Sequence, residues 1–552
     1  MKWASQPSKN SIVPFIIAIV TMFGFVFWME NGILHSTRGI FSYPLDDPYI
    51  HMQIARNLAL HNSWGINPYE FSSASSSLLY TVLLAAVFKI FSVNVITPFI
   101  INVVASFLLL YVIHSWLMRQ ELTGAARTVI MLLVVLFTPL PSLIISGMEH
   151  TLQCLLFFLF ITNFADYAAA FNQRAHPKEE KIPWKLLLYG AGVVAIRYEG
   201  LFLIGLACLV LLFQKRIKIS LILGIISSLP IIIFGIWSLF QGSYFLPNSV
   251  LVKSESFSLS IVGITEFFSN IFINKLTFPK ATQNIVGTPP AGISLLATQR
   301  LLIILPLCAL FFHKIFQKRS AFYFLLILLT GTTLLHLSLA ATGWFYRYEA
   351  YLILSTMVLV PTILVKFGLQ ALSGRDTITR IFTGLLIFTL CFPLLLRSGA
   401  AFLKTKQACI NIFSQQYQMA QFLKKYYQGA TVAANDIGAL SFFTNAKIID
   451  LWGLGNIDVA RSKKGSYWNP VFLDSLVNAH HVKLAIVYDE WFDPSLLRSW
   501  KKLATWQISN NVICGSDFVS FYSINEADAI AIKNNLQEFQ KYLPNVKVEY
   551  FQ

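Results

Sequence analysis

Two adjacent carboxylates, Asp46 and Asp47, follow closely on the first apolar span, in the run Tyr43-Pro44-Leu45-Asp46-Asp47-Pro48-Tyr49-Ile50-His51. Ionised groups beside lipid are costly to hold, so a paired acid there calls for a task. A carboxylate in this position can take a proton from an attacking hydroxyl, and a pair can share a divalent cation. Asp47-Pro48 is also a good helix start, with Asp as the cap and Pro in the first turn. The stretch 49–60 then places Ile50, Ile54 and Leu58 on one face, as in a helix lying on a membrane surface. Capping accounts for Asp47 but leaves Asp46 unexplained. Asp46 is therefore the candidate catalytic base, and Asp47 a cap, a metal ligand or a partner for His51 one turn on.

Further polar side chains stand where apolar runs break. Glu149 follows Ser146-Gly147-Met148, and Arg197 and Glu199 interrupt a long apolar stretch. Tyr244 and Asn248 open a polar segment that reaches Lys253, while Tyr346 and Arg347 lie in Trp344-Phe345-Tyr346-Arg347-Tyr348-Glu349. No cofactor is required by the sequence; if a divalent cation such as Mg or Mn is bound, Asp47 and Glu149 are its candidate ligands. Each residue also has a plain structural reading. Glu149 could cap the following span, and Arg197 with Glu199 could form an ion pair at a bend. Lys253 and Arg347 could reach the interface along their stems, and Trp344, Tyr346 and Tyr348 could belong to an aromatic belt. His114, inside an apolar span, reads as a core residue.

The elements that must position these groups follow from composition. The chain has 552 residues, 56% hydrophobic and only 12% charged, with a mean hydropathy of +0.62. That balance belongs to a membrane protein. The net charge of +16 sits largely in short Lys/Arg clusters between apolar spans, which is the positive-inside pattern. No basic helix or RNA-binding motif accompanies it, so no nucleic-acid partner is expected.

Spans are expected near 12–29, 95–117, 127–141, 151–171, 186–213, 218–240, 293–312, 320–339, 350–366 and 380–398. The run 77–91 is short for a crossing. Leaving it out places the basic clusters at 119–127, 174–185, 215–218, 313–319 and 366–380 all in the cytoplasm. Basic residues flank both ends of 186–213, which is therefore expected as a hairpin bent near Arg197-Tyr198-Glu199-Gly200. The outcome is an α-helical polytopic membrane protein with about 11 transmembrane helices. Its N-terminus is cytoplasmic, and every polar motif above faces outward.

Composition changes near residue 402. Residues 1–401 are expected to form the membrane domain and 402–552 an extracytoplasmic, soluble α/β domain, with helices at 415–427 and 527–542 and strands at 431–434, 447–451 and 482–488. Cys409 and Cys514 could pair outside the cytoplasm. Cys154, Cys208, Cys308 and Cys391 read as small buried hydrophobes.

The order of these motifs resembles the GT-C superfamily of polytopic glycosyltransferases, which use polyprenyl-phosphate sugars. The matching pieces are Asp46-Asp47-Pro48-Tyr49-Ile50, Ala55-Arg56-Asn57-Leu58, Trp64-Gly65-Ile66-Asn67-Pro68 and Ser75-Ser76-Ser77-Leu78-Leu79-Tyr80. Ser146-Gly147-Met148-Glu149, Arg197-Tyr198-Glu199-Gly200, Leu246-Pro247-Asn248 with Lys253, and Tyr346-Arg347-Tyr348 follow. Asn435-Asp436-Ile437-Gly438-Ala439 and Ile449-Asp450-Leu451-Trp452-Gly453-Leu454 look like the soluble tail of bacterial members. Two departures stand out. Tyr198 occupies a place where similar bacterial proteins often have Pro, and Glu149 stands alone where metal-dependent oligosaccharyltransferases have paired acids.

The resemblance implies a bacterial inner-membrane glycosyltransferase. It would move a sugar from a polyprenyl-phosphate donor to a glycan, lipid or protein acceptor, with inversion at the anomeric carbon. Asp46 and Asp47 would be catalytic. Glu149, Arg197, Glu199, Tyr244, Asn248, Lys253, Tyr346 and Arg347 would hold the donor phosphate and substrates. The alternatives are a glycolipid transporter or flippase, which needs charged or broken spans at mid-membrane, and a non-catalytic scaffold.

Overall fold

The computed structural model describes residues 11–173, 181–251, 320–368 and 377–552, and only the backbone of 378–391 and 393. Five described helices are long and apolar enough to cross a membrane: Val13–Ser36, Thr97–Arg119, His150–Phe171, Ile217–Phe240 and Ala321–Leu339. Shorter apolar helices are Leu78–Phe91, Gly124–Phe137, Trp184–Ile196, Gly200–Phe213 and Ala350–Lys366. The expected span 380–398 lies inside the 36-residue helix Thr377–Ile412. The expected span 293–312 and Cys308 lie outside the described residues.

The chain packs as two compact units, each assembled from distant segments. One comprises Met1–Trp28, Ile100–Ile232 and Lys253–Leu403, and the other Met29–Phe99, Ile233–Val252 and Lys404–Gln552. Residues 30–94, read from sequence as the first outer loop of the membrane domain, pack instead with the C-terminal segment. Their polar side chains bond that segment's backbone, as the second unit shows below.

In the first unit the expected span 127–141 breaks in two. Gly124–Phe137 is followed by Leu140–Ile145, with Pro139 outside helical geometry at φ 18°. The prolines at 139 and 141 each lack the amide that a continuous helix needs. The hairpin at 186–213 forms as expected. Trp184–Ile196 ends where Arg197 turns extended, and Gly200–Phe213 returns. Gly200 permits that return: a Cβ there would lie 2.3 Å from the Val193 carbonyl oxygen. In the same unit Phe15 packs at a tilt against His114, Trp116 meets Phe322 edge-on, and Lys366 lies over Phe322. These contacts gather segments next to the basic clusters that the sequence reading puts on one face. His114 is buried, as expected of a core residue.

The second unit is built on a six-stranded sheet of order β2-β1-β3-β5-β4-β6. Strands β1 (Thr431–Ala434), β2 (Lys447–Asp450) and β3 (Leu484–Val487) are parallel. Strands β4 (Lys501–Gln507), β5 (Phe518–Ser523) and β6 (Lys547–Tyr550) continue the sheet antiparallel. Leu473, Val477, Val487, Phe492 and Trp500 lie in the buried apolar core on this sheet. β2 is an edge strand with unpaired backbone groups. Asn67 of the outer loop covers it, its amide nitrogen reaching the Ile448 carbonyl at 3.1 Å and its oxygen the Ile448 amide at 3.0 Å. Arg56, on the helix Asp47–His61, donates to the Phe442 carbonyl at 2.8 Å. The helix expected at 415–427 begins with a π turn, Phe413–Tyr417, and then runs Gln418–Tyr426.

Candidate active site

In the second unit, Asp46 occupies the cap position of the helix Asp47–His61, and Asp47 is its first residue. This corrects the expected assignment of Asp47 as cap. The Asp46 side chain does not cap its own helix. Its two oxygens accept from the amides of Gly438 at 2.6 Å and Ala439 at 2.8 Å, at the start of the helix Gly438–Phe443. Gly438 is what permits the approach, since a Cβ there would lie 2.2 Å from the Asp46 carbonyl oxygen and 2.7 Å from Oδ2.

Asp436 shares this neighbourhood. It accepts from the Tyr488 hydroxyl at 2.6 Å and from Gln416 Nε2 at 2.8 Å. Removal from water pushes the Asp46 carboxyl up to about 8; the charge of Asp436 adds to the rise, and the two amides oppose it. Asp436 is also raised, by burial first. Asp436 lies two residues past the end of β1 and Tyr488 directly follows β3, neighbouring parallel strands whose connections diverge; in open α/β sheets that is where ligands lodge. From sequence, Asp436 stood out only within the Asn435–Ala439 motif, with no role assigned to its carboxylate.

Tyr244 and Asn248 also belong to the second unit. Asn248 donates from its backbone to the Ser73 carbonyl at 3.0 Å and from its side chain to Leu454 at 3.4 Å. Lys464 lies over the Tyr244 ring. Both residues fasten the 242–251 segment. His51 is buried and bonds Thr81 and Ser75 through Nδ1, at 3.1 and 3.2 Å.

The first unit holds a separate layer of charges. Glu149 is fully buried and accepts from Arg197 Nη1 at 2.8 Å, a contact that a simple cap does not make. Arg197 also forks onto Glu199, at 3.1 and 2.6 Å. The guanidinium thus serves two carboxylates at the hairpin bend, which is the expected ion pair extended to a triad. Arg347 is only 1% exposed and lies against Tyr348, so it does not reach for an interface. Tyr346 and Tyr348 are buried with it rather than set in a lipid-facing belt.

The segment that carries them is strained. Phe345 and Tyr346 both hold positive φ, 47° and 60°, a conformation costing roughly 1–3 kcal/mol each for such residues. Glu349 and Arg397 hold the turn in place. Glu349 accepts from the Gly343 amide at 2.9 Å and pairs with Arg397 at 3.0 Å, and Arg397 donates to the Tyr346 carbonyl at 2.7 Å. Arg397 was missed from sequence. Its signal was a lone arginine at the end of an apolar run.

Lys253 lies outside the described residues. Asp47 and Glu149 belong to different units, and among the described residues no group of three or more His, Cys, Asp or Glu is placed to hold a metal ion. Cys154, Cys208, Cys409 and Cys514 are unpaired thiols, so Cys409 and Cys514 do not form the bond entertained from sequence.

Residues 410–522 match a family model described as Domain of unknown function (DUF8728). No curated protein matches the chain. Among solved structures, the chain is similar to ArnT from Cupriavidus metallidurans bound to undecaprenyl phosphate, with a TM-score of 0.50 and 10% identity. The match covers 94% of this chain and 99% of that one. At that identity the likeness is one of fold. The chain is mainly helical and of ArnT-like fold, with several described helices long and apolar enough to cross a membrane and a C-terminal region built on a small sheet.

Proposed function

We propose that this protein is a glycosyltransferase that moves a monosaccharide from a polyprenyl-phosphate carrier to the hydroxyl of an extracytoplasmic glycan, lipid or protein. The observation that carries the reading is Asp46, a carboxylate beside the first span that is aimed by the Gly438 and Ala439 amides and whose proton affinity is raised by burial and by Asp436. A base is most effective with a pKa near the working pH. The fold likeness to a protein solved with undecaprenyl phosphate supports the choice of carrier.

In this reading Asp46 accepts the proton of the acceptor hydroxyl as its oxygen attacks the anomeric carbon. The bond from that carbon to the phosphate oxygen breaks, and its electron pair leaves with the lipid phosphate. Each Asp46 oxygen takes one backbone amide, and the remaining lone pairs are available to the hydroxyl. The amides of Gly438 and Ala439 fix the carboxylate's direction. Arg347 is the first unit's candidate for a lipid-borne phosphate. Its role is tested separately, by binding of polyprenyl phosphate to the Arg347→Met protein. Arg197, shared between Glu149 and Glu199, is assigned to holding the hairpin bend.

The test is transfer of labelled sugar from a polyprenyl-phosphate donor by membranes containing the wild type or Asp46→Asn. Transfer that falls by about 10²–10⁴ at unchanged membrane abundance supports a general base. Transfer that is unchanged removes Asp46 from the chemistry. Loss of glycolipid movement with no transfer in either protein would favour the transporter reading.

A further inference from the structure

We infer that the corner formed by Lys463, Trp452 and Trp468 in the second unit binds a saccharide ring that carries an anionic substituent, a carboxylate or a phosphate. The inference goes beyond the transferase reading and stands without it.

The corner follows from the loop after β2. Asp450 turns its carboxylate back to accept from the amides of Trp452, Gly453 and Gly455, at 2.7, 3.1 and 2.6 Å. That fixes Trp452 at the rim of the sheet's core. Trp468 stands perpendicular to it at 5.6 Å between centroids and is anchored by Nε1 on the Leu451 carbonyl. Trp491 backs Trp452 at 4.5 Å. All three indoles are partly exposed.

The helix Ile457–Lys464 places three basic residues in its last turn. Arg461 bonds the Gly242 carbonyl and Asp458, and Lys464 covers Tyr244. Lys463 goes the other way, its Nζ 3.1 Å from the Trp452 centroid and 4.6 Å from that of Trp468.

That ammonium makes no hydrogen bond and no ion pair within 4 Å among the described residues; Asp450 spends its oxygens on backbone amides. An ordinary lysine keeps its head in water. This one is drawn in far enough that burial lowers it to about 8. The indole faces give the ammonium a cation–π contact but no hydrogen-bond acceptor, which leaves its N–H groups available to an anion. Partly exposed indoles around the charge suit the apolar face of a sugar ring better than a bare inorganic anion. The residues are already held, so little ordering is needed on binding.

The test is direct binding to the full-length protein in detergent, read by tryptophan fluorescence and calorimetry. The probes are glucuronate, glucose 6-phosphate, glucose and inorganic phosphate. The proposal expects at least one charged sugar to bind about tenfold more tightly than either glucose or phosphate. Which of the two charged sugars binds identifies the anionic group. Lys463→Met should weaken that binding by about tenfold, while Lys463→Arg, which keeps the charge and the ring contact, should retain it. Trp468→Leu should weaken it with Lys463 intact. Failure of both charged sugars to bind protein with a normal unfolding midpoint overturns the proposal. So does binding of glucose or phosphate alone with equal affinity, or variants that change only the unfolding midpoint. No transfer is measured, so loss of activity through Asp46 cannot imitate any of these results.

Discussion

Asp46 should make the protein less stable as pH rises. Its carboxyl is raised to about 8 by loss of water and by Asp436, against an ordinary value near 4 in the unfolded chain. The folded state therefore holds a proton that the unfolded state has released. Stability from this group is complete below about pH 4 and is lost as pH climbs to about 8. One such proton is worth at most about 1.4 kcal/mol per pH unit, and partial exposure of the side chain makes the real slope smaller. Asp46→Asn abolishes the slope at its source. It also presents an amide NH₂ to one of the two backbone N–H groups, a loss of about 1–3 kcal/mol. The variant should thus be less stable than wild type near pH 5 and should gain relative to it toward pH 8. The assay is the thermal unfolding midpoint in detergent at pH 5, 6, 7 and 8, followed by tryptophan fluorescence. Asp450 is raised too but is present in both proteins, whereas Asp436 titrates together with Asp46, so the slope that the variant loses belongs to the pair. Parallel midpoint curves for the two proteins would refute the reasoning.

Gly438→Ala should destabilise the protein by about 2–4 kcal/mol and reduce transfer with it, since the added methyl drives Asp46 off both amides; Gly399→Ala, with nothing within 4 Å, should be neutral or slightly stabilising. Arg397→Met and Glu349→Met should each cost about 3–5 kcal/mol, because each leaves a buried charge alone, whereas the double variant should lie closer to wild type; additive losses on unfolding would contradict a direct pair. A periplasm-active reporter fused after Gln552 should be active in cells, and a cytoplasm-active one silent; the reverse would overturn the outward-facing assignment.

Much of the helical fold was legible because a long apolar run needs no partner to declare itself. The bend at 197–200 was readable from charges on both flanks of an overlong run. The break at Pro139 was equally written in two prolines, yet apolar character on both sides masked it. The strands 501–507, 518–523 and 547–550 escaped notice because a strand of four to seven residues takes its stability from neighbours distant in sequence. Asp46 was singled out as a charge expected near lipid, just past the first apolar run. Its partners at 438 and 439 lie nearly four hundred residues away, and no local pattern could pair them. The reassignment of the outer loop has the same origin. Asn67 and Arg56 are unremarkable polar residues until the β2 edge and the Phe442 carbonyl are folded against them.

The most direct test is the pH dependence of sugar transfer at subsaturating donor and acceptor, in wild type and Asp46→Asn. Proton removal by this carboxylate predicts a wild-type rate that rises with pH through a midpoint of about 8 and levels off above it, and a variant that is far slower and lacks that rise. A variant that keeps the wild-type rate and the same pH limb would contradict the account.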